Sequence, residues 1–195
     1  MRFPLDLRFT TFSIAQQISI SDASGALLLH VKQAAFKLKE AVTVFQDAEQ
    51  RQPLYRMAAD RVLDISANYR IDAEGGNPLG VLHREGMRSL WRAHYEITRG
   101  GAPLFSIREE NPWVKVLDGL LGEIPVLGFF TGYFLHPAYR VSRAGTEVPV
   151  MRAVKQPALW EGRYTIERVQ ELPPADETLA VLSVFMMLLL ERHRG

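Results

Sequence analysis

The chain has 195 residues, of which 47% are hydrophobic and 23% charged, with a formal net charge of +1 and no cysteine. These values fit one globular domain, residues 1–195, large enough to bury a substantial core. They exclude disulfides, thiolate nucleophiles and cysteine-based metal centres, and they supply no overall field toward nucleic acid.

The start, Met1-Arg2-Phe3-Pro4-Leu5-Asp6, lacks the apolar stretch of a signal peptide, and with the missing cysteines this sets the expectation of a cytoplasmic protein. The first strand-and-turn signal runs from Ile18 to Gly25 through Asp22. It returns as Tyr69 to Gly76 through Asp72, and as Tyr139 to Gly145, a loose internal repeat. Each reads as a hairpin, because aspartate bonds to turn backbone and glycine tolerates positive φ. Neither Asp22–Gly25 nor Asp72–Gly76 supplies the alternating acidic ligands of a calcium loop.

Between the first two turns, Lys37 and Lys39 flank Leu38, so on one strand they point together to solvent, with Lys32 at the end of the preceding strand. Ile65, Ala67, Tyr69 and Ile71 alternate with Ser66, Asn68, Arg70 and Asp72. Further on, Arg88 and Arg92 share the outer face of a strand. Trp91, Ala93, Tyr95 and Ile97 then alternate with Arg92, His94, Glu96 and Thr98. Trp160, Gly162, Tyr164 and Ile166 repeat the pattern, and such one-sided apolarity predicts half-buried antiparallel strands. The aromatics therefore point into the core, which removes the exposed stacking platform a nucleic-acid binder needs.

Asn111-Pro112-Trp113 predicts a short helix near 112–121, with Asn111 as cap and Pro112 at its first position. Glu109 and Glu110 before it suit the helix dipole rather than a metal ion. The apolar stretch from Ile124 to Leu135 is expected to pack between elements, since Asp118, Glu123 and Pro125 interrupt it as a membrane span. The chain closes with Pro173, Pro174, Asp176, Glu177 and an apolar run from Leu179 to Leu190 broken only by Ser183. As a helix that run reaches about 18 Å, too short for a hydrocarbon core of about 30 Å. A helix apolar on every side must be surrounded, which predicts a closed sheet wrapped around it. Ser183 is expected to bond a backbone carbonyl one turn back.

The runs Ala59-Asp60-Arg61 to Asp64, Arg88 to Trp91, Arg108 to Trp113 and Leu190-Glu191-Arg192 resemble bacterial members of the LURP-one-related, tubby-C-terminal-like group. The resemblance covers nearly the whole chain. It implies a mainly β fold, a closed antiparallel barrel of about twelve strands around a buried hydrophobic C-terminal helix. It also implies kinship with tubby proteins, which bind phosphoinositides, and with phospholipid scramblases. No set of residues here matches a tubby lipid-binding motif position by position, and shared fold does not transfer function.

No Gly-x-Ser-x-Gly elbow or phosphate loop is present, and the five histidines are scattered, so neither enzymatic activity nor a cofactor or metal is expected. The leading expectation is a binding or scaffold module. Its ligand would be an anionic lipid headgroup at the cytoplasmic membrane surface, with Lys32, Lys37, Lys39, Arg88 and Arg92 as candidate contacts. A scaffold that docks another protein, and a scramblase-like membrane protein, stand as alternatives. Ordinary solvated barrel surface also explains those cations.

Overall fold

A computed structural model describes residues 1–12, 15–34, 41–60, 67–84, 94–110, 137–157 and 162–192. Twelve strands follow one another: β1 (Leu5–Phe12), β2 (Ala15–Ser21), β3 (Leu27–Ala34), β4 (Val42–Phe45), β5 (Pro53–Ala59), β6 (Asn68–Ala73), β7 (Pro78–Arg84), β8 (His94–Arg99), β9 (Ala102–Glu109), β10 (Ala138–Arg143), β11 (Pro149–Gln156) and β12 (Gly162–Arg168). The helix α1 (Pro174–Arg192) comes last. Each strand pairs antiparallel with its sequence neighbour, and β12 returns to β1 to close the barrel. Closure leaves no unpaired sheet edge.

All three glycine-marked turns, two of them carrying aspartate, are hairpins, joining β2 to β3, β6 to β7 and β10 to β11. Gly25, Gly75, Gly76 and Gly145 take positive φ there. In the first, Asp22 Oδ1 accepts the backbone N–H of Ser24 at 2.9 Å and of Ala26 at 3.2 Å, which fixes the turn. Each of these hairpins also carries a register irregularity next to its turn. Beside the one between Ile71 and Asp72, Asp72 keeps its place on the face of Arg70 and is covered there, accepting Arg70 Nε at 2.8 Å.

Every strand contributes buried apolar residues to a single core cluster that also contains the helix residues Leu179 to Leu190 other than Ser183. The residues from Leu179 to Leu190 are all buried, so strand inner faces and helix share one interior. No described helix is long and apolar enough to cross a membrane. Polar anchors hold both ends of α1. At its start, Arg99 on β8 pairs with Asp176, donates from Nη2 to the Ala175 carbonyl at 3.0 Å and from Nε to that of Leu79 at 3.2 Å. Arg168 at the end of β12 donates to Glu177 at 3.0 Å. Both acids lie in the first turn, where the helix dipole favours them. At the far end, the Tyr95 hydroxyl donates to Glu191 at 2.6 Å, and the Arg192 guanidinium lies 5.0 Å from the centre of the Phe9 ring. Burial, reinforced by the Glu191 charge, pushes the Tyr95 phenol far above its ordinary value, so it remains a donor.

Ser183 departs from expectation. Its hydroxyl is fully buried and has no hydrogen-bond partner among the described residues, not even the carbonyl one turn back. The expected helix near 112–121, the apolar stretch 124–135, Trp91, Ala93 and Trp160 lie outside the described residues.

Candidate functional site

The outer face of the barrel carries its charge in rows, because residues opposite one another on paired strands point the same way. Tyr95, Ile107, Tyr139, Met151 and Ala153 are buried, which turns their strand neighbours outward. The register sets His94 on β8 opposite Arg108 on β9, Arg108 opposite Arg140 on β10, and Arg140 opposite Arg152 on β11. Glu167 on β12 ends the row, opposite Arg152. Three arginines thus stand side by side on three neighbouring strands. Like charges placed directly opposite each other cost roughly 0.2–1 kcal/mol per pair.

Two glutamates offset that cost. Glu147, on the turn between β10 and β11, accepts Arg108 Nη1 at 2.8 Å on one carboxylate oxygen and Arg140 Nη2 on the other. Glu110, just past β9, takes Arg152 in a fork, Nε at 2.8 Å and Nη2 at 2.7 Å. These bonds raise the Arg152 guanidinium further above its ordinary value, against the opposing effect of burial. Glu110 thus also ties the end of β9 to a strand two places away, while the helix start expected after it lies outside the described residues. Arg108 Nε also donates to His94 Nε2 at 3.3 Å, which requires that nitrogen to be unprotonated.

Beside this row, a cleft of about 430 Å³ opens between the outer faces of β8 and β9 and the turn carrying Glu147. Arg108 and Glu147 form one side, Glu96 lies on β8, and Ser106 lies opposite Glu96 in register. Gly145 and Thr146 complete the turn side. Among the described residues no group of three or more histidines and carboxylates could hold a metal ion.

Of the cations picked out in the sequence, only Lys32 is among the described residues. Lys32 is on β3, opposite Gln17 of β2, and β3 does not adjoin any of β8 to β11. Lys37, Lys39, Arg88 and Arg92 lie outside the described residues. Arg108, Arg140, Arg152 and Glu147 escaped sequence reasoning because each strand holds only one of the arginines, and only the register sets them side by side.

Three comparisons place the chain among known proteins. No curated protein matches the sequence. An X-ray structure of a protein from Arabidopsis thaliana is similar in fold, with a TM-score of 0.50 at 13% identity over 98% of this chain and 92% of that one. The model of the LURP-one-related family matches residues 27–187. A match over most of the barrel and into the helix settles the family: the chain belongs to the LURP-one-related proteins.

Proposed function

We propose that the barrel is a non-catalytic binding module for phosphate-bearing groups, presented as anionic phospholipid headgroups at the cytoplasmic surface of a membrane. The observation that carries this reading is the row Arg108, Arg140 and Arg152 on adjacent strands, two of whose members share one exposed counter-ion, Glu147. Guanidinium groups favour planar, bidentate contact with phosphate oxygens. The row offers such contacts at the spacing of neighbouring strands, about 4.8 Å.

Co-sedimentation with vesicles tests the reading. Phosphatidylcholine vesicles are compared with vesicles containing phosphatidylglycerol or a phosphoinositide, at low and physiological salt. A cation near an anionic surface contributes about 1 kcal/mol, so Arg108→Gln with Arg140→Gln should lower the partition coefficient roughly 30-fold. Lys37→Glu with Lys39→Glu, and Arg88→Glu with Arg92→Glu, report whether the cations chosen from the sequence share the work. Failure to bind any vesicle would remove lipid and leave a protein-docking scaffold.

A further inference from the structure

We infer that the cleft beside the arginine row takes an aminoalkyl phosphate, with the phosphate on Arg108 and Arg140 and the ammonium on Glu96. This rests on the reading of the row as a phosphate-binding surface and names the ligand chemistry more closely.

The cleft has two poles. Arg108 lies at one, and Glu96 at the other makes no hydrogen bond or ion pair among the described residues. The two are diagonal neighbours across β8 and β9, since Ser106 is opposite Glu96 and Arg108 follows two residues later on the same face. Such diagonal positions are about 7–8 Å apart. A compact molecule carrying both charges spans that gap, and Ser106 on the floor adds a hydroxyl. His83, opposite Glu96 on β7, is turned to Asn68 through Nδ1, and the Asn68 amide is in turn held by Asp60.

Glu147 already occupies the phosphate seat. One carboxylate bridging two guanidiniums makes the contacts that two phosphate oxygens would make. Its side chain is 63% exposed and stands on a turn, so an arriving anion displaces it from a screened surface pair rather than from a buried one. Bare phosphate would put uncompensated negative charge close to Glu96. An ammonium on the ligand turns that repulsion into an ion pair, and this selects the aminoalkyl phosphate over phosphate itself.

Titration calorimetry of the full chain with O-phosphoethanolamine, inorganic phosphate and ethanolamine tests the inference at low salt. O-phosphoethanolamine should bind about fivefold more tightly than phosphate, the upper end for a partly exposed ion pair. Glu96→Gln should erase that preference without weakening phosphate. Glu147→Gln should strengthen both ligands, and Arg108→Gln should weaken both, each variant being checked for an unchanged melting curve. Equal affinity of the wild-type chain for phosphate and O-phosphoethanolamine would overturn the inference and leave the phosphate-binding reading standing. Absence of binding by either would overturn both. Binding indifferent to Arg108→Gln would overturn the placement in this cleft. Vesicles containing phosphatidylethanolamine separate the two sources of the chemistry: sedimentation with them assigns a lipid headgroup, and binding of the soluble compound alone assigns a free metabolite.

Discussion

Gly80 measures how closely the barrel wall approaches its central helix. A methyl group added there would lie 2.6 Å from the Thr98 carbonyl oxygen on β8 and 2.7 Å from Leu179 Cδ2 on α1. Ordinary contact begins near 3.4 Å, so both neighbours would have to recede by most of an ångström. The leucine can change rotamer, but the carbonyl is held in the β7–β8 ladder. Overpacking of this kind costs about 1–3 kcal/mol, and the upper end applies where one partner is backbone. Alanine recovers roughly 0.5–1 kcal/mol of chain entropy relative to glycine, leaving a net loss of about 2 kcal/mol. For a chain of this size that lowers Tm by roughly 4–8 °C. In urea the midpoint should fall while the slope stays constant. Leu179→Ala in the same chain should relieve the side-chain part of the clash, so the double variant should be about 1 kcal/mol less destabilised than the sum of the single ones. Gly162→Ala is the control, because its methyl would meet Arg192 Nη1 at 2.5 Å, the free end of a flexible side chain, and should cost less than about 1 kcal/mol. A neutral Gly80→Ala, or a Gly162→Ala as damaging as Gly80→Ala, would refute the close approach of helix and wall.

Ser183→Ala removes a buried hydroxyl without a partner, so it should stabilise the protein by about 1 kcal/mol in chemical denaturation; a loss of stability would show that the hydroxyl is bonded after all. Leu182→Asp places an unpaired charge in the fully buried face of α1 and should abolish the cooperative melting transition seen by circular dichroism. Asp6→Asn probes the seam between β1 and β12, where Asp6 accepts both Arg163 and Arg8, which stand opposite each other. Burial pushes the Asp6 carboxyl up, but the hydrogen bonds and charges of Arg163 and Arg8 outweigh it and hold the group below its ordinary value. Its stabilisation is therefore present at neutral pH and lost as pH falls below about 4 and through the folded-state value. Since both arginines are about half exposed, the variant should lose only about 1 kcal/mol at pH 7, and the difference from wild type should vanish in acid.

Much of the barrel was legible because its signals are local. The apolar run from Leu179 to Leu190 can be read within one helix, and the alternation of Tyr95 and Ile97 with His94, Glu96 and Thr98 within one strand. Hairpins marked by aspartate and glycine were equally plain. The turn between β4 and β5 was not, because Gln50 rather than glycine takes the positive φ, and Asp47 builds the turn by accepting the backbone N–H groups of Arg51 and Gln52. The burial of Asp72 was missed because an outward position is covered by its neighbours, here Arg70, and no periodicity announces that.

The arginine row was illegible on different grounds. Arg108, Arg140 and Arg152 each look like an ordinary outward residue on its own strand, and the 31 positions separating Arg108 from Arg140 exceed any periodic window. Lys37 and Lys39, chosen because they are close in sequence, lie outside the described residues. A barrel also gathers charge along its hydrogen-bonding direction, across strands, and such a patch has no short-range signature in sequence. The cost of opposing like charges sharpens the point. Glu147 and Glu110 reach the row from beyond the ends of their strands, one from a turn and one from past β9, as counter-ions that leave the arginines in place. The seam uses the same device on a smaller scale, two opposed arginines, Arg8 and Arg163, bridged by Asp6. Three consecutive cations, the first two bridged by an exposed carboxylate on a turn, form an arrangement that a second anion can enter.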